Sequence, residues 1–486
     1  MTTRTAVDYS MYVAGAWVES DSGGRIAATS PATGENIGSV PEGTRDDARR
    51  AIAAANAAAR EWAGRSAFDR AAAMERVAAI IDERRDELAH ALTLDQGKPL
   101  RCESYAEVDE LIEYWRMAAG DGRRLEGLMP PSVDASKRVL AYRVPRGVVG
   151  VITPWNWPYT MAAEVLAPAL AAGNTVVWAP ATSTSVCSLK LAECIVDAEL
   201  PAGVFNVVTG PGAVVGDEIA TSRGTHAIGF VGSVATGTRV AERAAGKPLL
   251  LELGGNGPLV VLDDADVDAA VEATLAAAFL CAGQSCTAGE RFLVHEHVHE
   301  EFLAKLSAAV SSDVRLGDPF AEETTMGPLN NEGTAAKMDS HVADAVDRGA
   351  VVVTGGRRSS SFPTDLYYEP TVLDGVSDEM EVSREETFGP VVPISSIRSE
   401  DEALSIIDSS PYGLLAAVFT EDLRRGLRFA EAARAGWVNV NESTNYWESH
   451  LPFGGRAGSQ SGIGRVGGRF SMETFTELKT VVVNLG

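Results

Sequence analysis

Cys286 stands among small residues, in Cys281-Ala282-Gly283-Gln284-Ser285-Cys286-Thr287-Ala288-Gly289, and 34 residues before it Glu252 lies in Leu251-Glu252-Leu253-Gly254-Gly255-Asn256. A lone thiol in such company packs well as a compact core residue. The same small neighbours leave room for a substrate at the sulfur. A separate carboxylate can take a proton from the thiol or from a water, so the pair has the parts of nucleophilic catalysis with an acid–base partner. Glu252 taken alone reads as a solvated or ion-paired carboxylate. It ends the apolar run Pro248-Leu249-Leu250-Leu251, however, and so falls at a strand terminus, where α/β proteins build their sites. Asn156, bracketed by Pro154 and Pro158, reads on its own as a turn residue.

The elements that must carry these residues alternate. Apolar runs at Val148 to Ile152 and Thr175 to Trp178 are interleaved with Ala-rich helical patterns at Met161 to Ala172 and Ser185 to Ala198, the pattern of parallel βαβ structure. Helical stretches at Asp46 to Ala63 and Ser66 to Asp95 precede Leu125 to Pro131, where Gly and Pro break the pattern and short extended segments follow to Arg143. A second α/β unit from about Gly255 to about Gly455 carries Cys286, and a reaction is expected in the cleft between the two units. Ile228 to Val231, then Gly232-Ser233, then Val234 to Ala245 reads as strand, glycine turn and helix start. Ser233 as N-cap there would offer free N–H groups and the helix dipole to a pyrophosphate. Glycine turns are common, so this pattern is weak by itself. Gly210-Pro211-Gly212 and Gly216 suggest a second loop facing the cofactor, and 355–365 a surface loop.

A chain of 486 residues is expected to form two or three domains with ample core. Five cysteines without regular spacing argue for reduced thiols, and neither an apolar leader in Met1 to Tyr12 nor a run of 18 apolar residues is present, so a cytoplasmic protein is expected. The net charge of −25 repels phosphate backbones and anionic membrane surfaces, which disfavours nucleic acid and membrane as partners.

Six segments in order, Pro154-Trp155-Asn156-Trp157-Pro158, Gly229 to Ser233, Glu252-Leu253-Gly254-Gly255, Gly283-Gln284-Ser285-Cys286, Glu385 to Pro390 and Pro452-Phe453-Gly454-Gly455, resemble the aldehyde dehydrogenase superfamily along nearly the whole chain. The resemblance implies an α/β fold: a Rossmann-like cofactor domain (1–123 and 145–254), an α/β catalytic domain (255–460) and a small β oligomerisation extension (124–144 and 461–486, with a strand at Thr480 to Asn484). It implies Cys286 as nucleophile, Glu252 as general base and Asn156 as oxyanion donor. It implies NAD, with NADP possible, held by Thr153, Pro154, Trp155, Ala179, Pro180, Thr182, Gly212, Gly216, Phe230, Gly232, Ser233, Thr236, Leu253, Glu386 and Phe388. For the aldehyde it implies Trp157, Met161, Glu164, Ser285, Thr287, Tyr446 and Trp447, and for assembly a homodimer or homotetramer. A CoA-acylating semialdehyde dehydrogenase and a non-catalytic scaffold on the same fold are the competing readings. Retention of Glu252 counts against the first, and the intact set Asn156, Glu252 and Cys286 against the second.

Two departures from the family pattern bear on chemistry. Relatives usually place Lys at Ala179 and often Glu at Thr182. Here neither the ribose-binding lysine nor the carboxylate that repels a 2′-phosphate is present, and no basic residue stands there to attract one, which favours NAD. Relatives often carry Lys at Val165 and Glu at Val466, and both are apolar here, as though an ion pair had been replaced together. The segment Gly455 to Gly462 is also longer than the common form. Glu164 stands where relatives that oxidise succinate semialdehyde present Arg, so apolar, aromatic or cationic aldehydes are expected. Two patterns are read as incidental: His295-Glu296-His297-Val298-His299, which follows a strand-like run and is expected to be a polar connection, and Gly462 to Gly467, too close to the C-terminus for a dinucleotide unit and expected to be a loop.

Overall fold

Strands buried on both faces read as continuous apolar runs, and two sheets here are built from such strands. The computed structural model describes residues 7–244 and 246–486. In the first sheet the strands Leu249–Leu253, Ala227–Gly232, Val148–Ile152, Thr175–Ala179 and Phe205–Val207 lie side by side and parallel. Antiparallel strands close both edges, Gly462–Ile463 beside Leu249–Leu253 and the hairpin Met11–Val13 with Ala16–Val18 at the other end. The second sheet runs Val351–Thr354, Thr371–Asp374, Val391–Ile397, Gly289–His295, Gly257–Val261, Leu415–Phe419 and Trp437–Val440, parallel apart from its first pair. A third sheet joins Thr476–Asn484, Lys137–Pro145 and Gly127–Leu128.

Each large sheet carries apolar clusters on its two faces. The helix Thr160–Ala171 is buried at every position, so it has no solvent face and its two polar residues, Thr160 and Glu164, must find partners inside. They face the helix Tyr105–Gly122, which packs along it.

Helix and strand positions agree with the sequence pattern to within a few residues, with three differences. The helical stretch from Ser66 divides at Arg84 into Ala67–Glu83 and Arg85–Gln96. The helix after Ser233 spans Val234–Arg243, and Ala245, like the first six residues, lies outside the described residues. The segment expected as a loop at Gly462 to Gly467 begins as an edge strand, with Ile463 opposite Leu251 and Gly462 opposite Glu252. Gly462 has φ +122°, and a Cβ there would stand 2.0 Å from the Leu251 carbonyl oxygen, so only glycine permits this pairing. Among the described residues no helix is long and apolar enough to cross a membrane.

Candidate active site

Cys286 follows a short 3₁₀ turn, Leu280–Gly283, in which Cys281 and Ala282 have φ of 53° and 52°. Left-handed non-glycine residues cost energy and persist only where surroundings hold them. Here Glu103 Oε1 accepts from the Cys281 amide at 3.1 Å, and Gln284 Nε2 donates to the Cys281 carbonyl at 2.8 Å. Gln284 Oε1 in turn accepts from the Asn330 amide at 2.8 Å. Asn156 Nδ2 donates to the Gln284 carbonyl at 3.0 Å, which fixes its side-chain amide against the cysteine loop.

Glu252 lies near the end of its strand, 3 % exposed, with Oε1 buried and unpartnered. Burial pushes its carboxyl up to about 8, against a downward pull from Cys286, and the nearby Glu386 adds to the rise. The Cys286 thiol is raised well above its ordinary value, first by burial and then by Glu252, Glu164 and Glu386. Cys286 therefore rests as a thiol, and any reaction through its sulfur needs a group beside it to take the proton.

A narrow cavity with ≈ 40 Å³ of free space is lined by Trp157, Met161, Glu164, Glu252, Leu280, Ser285, Cys286, Thr287, Asn445, Trp447 and Phe453. One water needs about 10–15 Å³ on this measure, so a few waters fill it. Of the seven residues expected at the substrate, six are here. Tyr446 is not: it is 47 % exposed, and its hydroxyl donates to Glu448 at 2.7 Å. Leu280, Asn445 and Phe453 are added by the fold. Behind Trp157, the Lys98 ammonium sits 3.1 Å from the ring centroid and donates to Glu107 at 2.6 Å, both side chains fully buried.

The structure alters what Glu164 contributes. The sequence reading treats it as an anion at the far end of the tunnel. It is 1 % exposed, Tyr114 Oη donates to its Oε2 at 3.4 Å, and its Oε1 is buried without a partner. Burial, then Glu252 and Glu110, drive its carboxyl well above the usual range, which favours the protonated form. Repulsion of a substrate carboxylate is weakened to that extent, and no cation among the lining residues offers it a counter-charge. Val165 and Val466 are each 1 % exposed, and Val165 packs onto Gly229, where an added Cβ would meet its Cγ1 at 2.4 Å.

A second, larger cleft of ≈ 270 Å³ opens on the other side of Cys286, shares Met161, Glu252 and Cys286 with the first, and is lined by Asn156 as well. Pro154, Trp155, Gly232, Ser233, Glu386 and Phe388 line it as the sequence reading expects. The cleft suits a dinucleotide. Ser233 caps the helix Val234–Arg243, leaving N–H groups at its start, and Gly254 leaves the space that a Cβ would take 2.5 Å from Glu386 Oε2. Glu386 Oε1 accepts from the Gly255 amide at 2.9 Å, and Trp155 meets Phe388 edge to face at 5.6 Å. Thr153, Ala179, Pro180, Thr182, Gly212, Gly216, Phe230, Thr236 and Leu253 do not line this cleft. They sit on the surrounding strand ends and helix starts, and Thr153 Oγ1 accepts from Trp178 Nε1 at 2.9 Å. Asn331, Gly333, Thr334 and Lys337, from the start of the helix Glu332–Asp347, complete the wall and were not evident from the sequence. His295 and His299 face Arg398 and Asp374 respectively, and no metal-binding group of His, Cys, Asp or Glu occurs among the described residues.

Buried carboxyls surround the site. Asp95, Glu103 and Glu110 are pushed up to about 7, chiefly by burial, and Glu252 to about 8. An unfolded carboxyl ionises near pH ~4, so between there and these raised values the folded chain binds more protons than the unfolded one. Its stability then falls as pH rises through that window. Urea titrations at about pH 5.5 and about pH 8.5 should differ by on the order of 3 kcal/mol or more in favour of the lower pH. An equal or higher midpoint at the alkaline value would mean these groups are ionised in the fold.

The family model described as the aldehyde dehydrogenase family matches residues 17–481. The chain is 39 % identical over 476 residues to an Escherichia coli succinate-semialdehyde dehydrogenase named for NADP(+), covering 97 % of each. It is 37 % identical over 484 residues to the betaine aldehyde dehydrogenase of Bacillus subtilis, covering 98 % of this chain and 97 % of that one. The crystal structure of Staphylococcus aureus betaine aldehyde dehydrogenase in complex with NAD+ superposes with a TM-score of 0.95 at 34 % identity, covering 98 % of this chain and 95 % of that one.

Proposed function

Because the chain belongs to the aldehyde dehydrogenase family, we propose that it oxidises an aldehyde to a carboxylate with NAD(P)+ and water, through a thiohemiacetal and then a thioester on Cys286. The observation that carries this reading is that Cys286 and Glu252 stand in the common wall of the ≈ 270 Å³ cleft lined by Ser233 and Glu386 and of a narrow, mostly apolar cavity. Glu252 takes the thiol proton, and the sulfur adds to the aldehyde carbon. Asn156, tied to the Gln284 carbonyl, directs its amide at the developing oxyanion, where one donor is worth about 3–4 kcal/mol of barrier. NAD(P)+ supplies the hydride acceptor. Once the thiol proton has passed from Glu252 to solvent, the carboxylate takes a proton from the water that attacks the thioester and hands it to the departing sulfur, which restores the Cys286 thiol. The position of Glu252 beside the sulfur favours water over CoA as the acyl acceptor.

The residues present favour aldehydes with apolar or aromatic bodies. We further propose NAD as the preferred cofactor. Among the described residues Ala179 is buried at its strand end, and neither it nor Pro180 and Thr182 brings a cation for a 2′-phosphate. An aldehyde panel run with NAD and NADP, with CoA omitted or added, tests the whole reading. The expected result is CoA-independent turnover, with kcat/KM about tenfold higher for NAD, a difference of about 1.4 kcal/mol. Strict dependence on CoA would overturn the hydrolytic reading, and a preference for NADP would overturn the cofactor assignment.

The division into cofactor, catalytic and oligomerisation parts belongs to the same proposal, as does a cytoplasmic homodimer or homotetramer. The third sheet leaves Leu128, Met129, Tyr142, Leu478 and Val482 exposed, which supports self-association through it.

A further inference from the structure

Most polar side chains of the substrate cavity are already satisfied. Ser285 Oγ and Thr287 Oγ1 are 2.7 Å apart, Thr287 Oγ1 donates to Asn445 Oδ1, and Asn445 Nδ2 donates to backbone carbonyls of Ala276 and Ala277. Two wall residues other than the base are left with a buried polar atom lacking any partner: Glu164 through Oε1 and Trp157 through Nε1. Buried groups of this kind are few in folded proteins, and each asks for a ligand or a water. One is a donor and the other belongs to a carboxyl, and a hydroxyl is the group that can both accept from an indole N–H and donate to a carboxyl oxygen.

The remaining wall selects against charge. No cation lines the cavity to meet a substrate carboxylate; Lys98, the nearest by contact, lies against Trp157 outside the lining and is spent on Glu107. That ammonium also occupies the electron-rich ring of Trp157, which weakens the attraction of the ring for a second cation. Glu164 is 1 % exposed, and burial disfavours its ionised form, which makes it a poor partner for a cationic tail. Trp157, Trp447 and Phe453 around so little free space suit a flat group better than a tetrahedral trimethylammonium head.

We propose that the substrate is an uncharged aromatic aldehyde carrying a ring hydroxyl, which Glu164 and Trp157 recognise. This rests on the aldehyde dehydrogenase reading above and narrows it. The test compares kcat/KM for benzaldehyde, 3- and 4-hydroxybenzaldehyde, 4-carboxybenzaldehyde, succinate semialdehyde and betaine aldehyde, in the unaltered enzyme, Glu164→Leu and Trp157→Phe. At least one hydroxybenzaldehyde should lead the set and exceed benzaldehyde by about tenfold or more, since binding a ligand without the hydroxyl leaves both wall groups unpaired. That ratio should fall to within about threefold in Glu164→Leu and be reduced in Trp157→Phe, which removes only the indole donor. The ratio in the unaltered enzyme decides the matter if a variant fails to fold. Equal use of benzaldehyde and both hydroxybenzaldehydes, or a lead for succinate semialdehyde or betaine aldehyde, overturns the inference. Failure of Cys286→Ala to abolish oxidation would instead overturn the mechanism on which it rests.

Discussion

Replacing Cys286 by Ala should abolish NAD(P)H formation from any aldehyde, a loss of at least about 10³-fold, while cofactor binding followed by fluorescence persists. In the proposed reaction this sulfur is the group that joins the substrate covalently, and no other described thiol is placed to substitute. Cys281, five residues away, is fully enclosed, with Gln96 donating to its sulfur at 3.4 Å, and burial pushes it up to about 12. The cleft walls contributed by Ser233, Lys337 and Glu386 are untouched by the change, so cofactor affinity reports on folding. Turnover comparable to the unaltered enzyme would remove Cys286 from the mechanism.

The second large effect is expected at Glu252. Glu252→Gln keeps the shape and removes the base, so hydrolysis of the thioester should slow by about 10²–10⁴-fold. If another base or solvent deprotonates the thiol in the meantime, one equivalent of NAD(P)H appears in a burst and the acyl-enzyme accumulates. Intact-mass measurement checks this: a chain heavier by one acyl group is expected, and its absence during a visible burst would take Glu252 out of the hydrolytic step. In the unaltered enzyme the base is competent only when ionised. The hydrolytic rate should therefore rise with pH through about 8, the value to which burial pushes Glu252.

Cys286, Glu252 and Asn156 were legible because each lies in a short contiguous segment whose residue types belong together. The sheets were legible because parallel strands buried on both sides must be apolar throughout. Glu164 shows where this fails. Its position in the tunnel followed from the motif around Asn156, but its charge depends on Tyr114, Glu110 and Glu252, which come from a helix 50 residues earlier and a strand 88 residues later. Asn331, Thr334 and Lys337 were missed for a related reason: a helix start meets the cleft only through tertiary packing, and nothing in Asn330 to Lys337 marks it locally. Tyr446 was placed one residue too far along, since adjacent residues in an irregular loop point in opposite directions and Asn445 is the one that turns inward.

The pairing of Gly462–Ile463 with the strand of Glu252 has a consequence for how the molecule is made. The general base sits beside an edge that stays bare until residues more than 200 positions further on have been synthesised and folded back. A contact of such sequence separation forms late, because the loop must close before the pairing repays its cost. A ribosome-bound chain that has exposed both large sheets would thus carry its nucleophile and much of its cofactor cleft while its base still lacked a fixed place. Catalytic competence would arrive only once Gly462 and Ile463 had paired, long after the strands before Glu252 could shelter a dinucleotide.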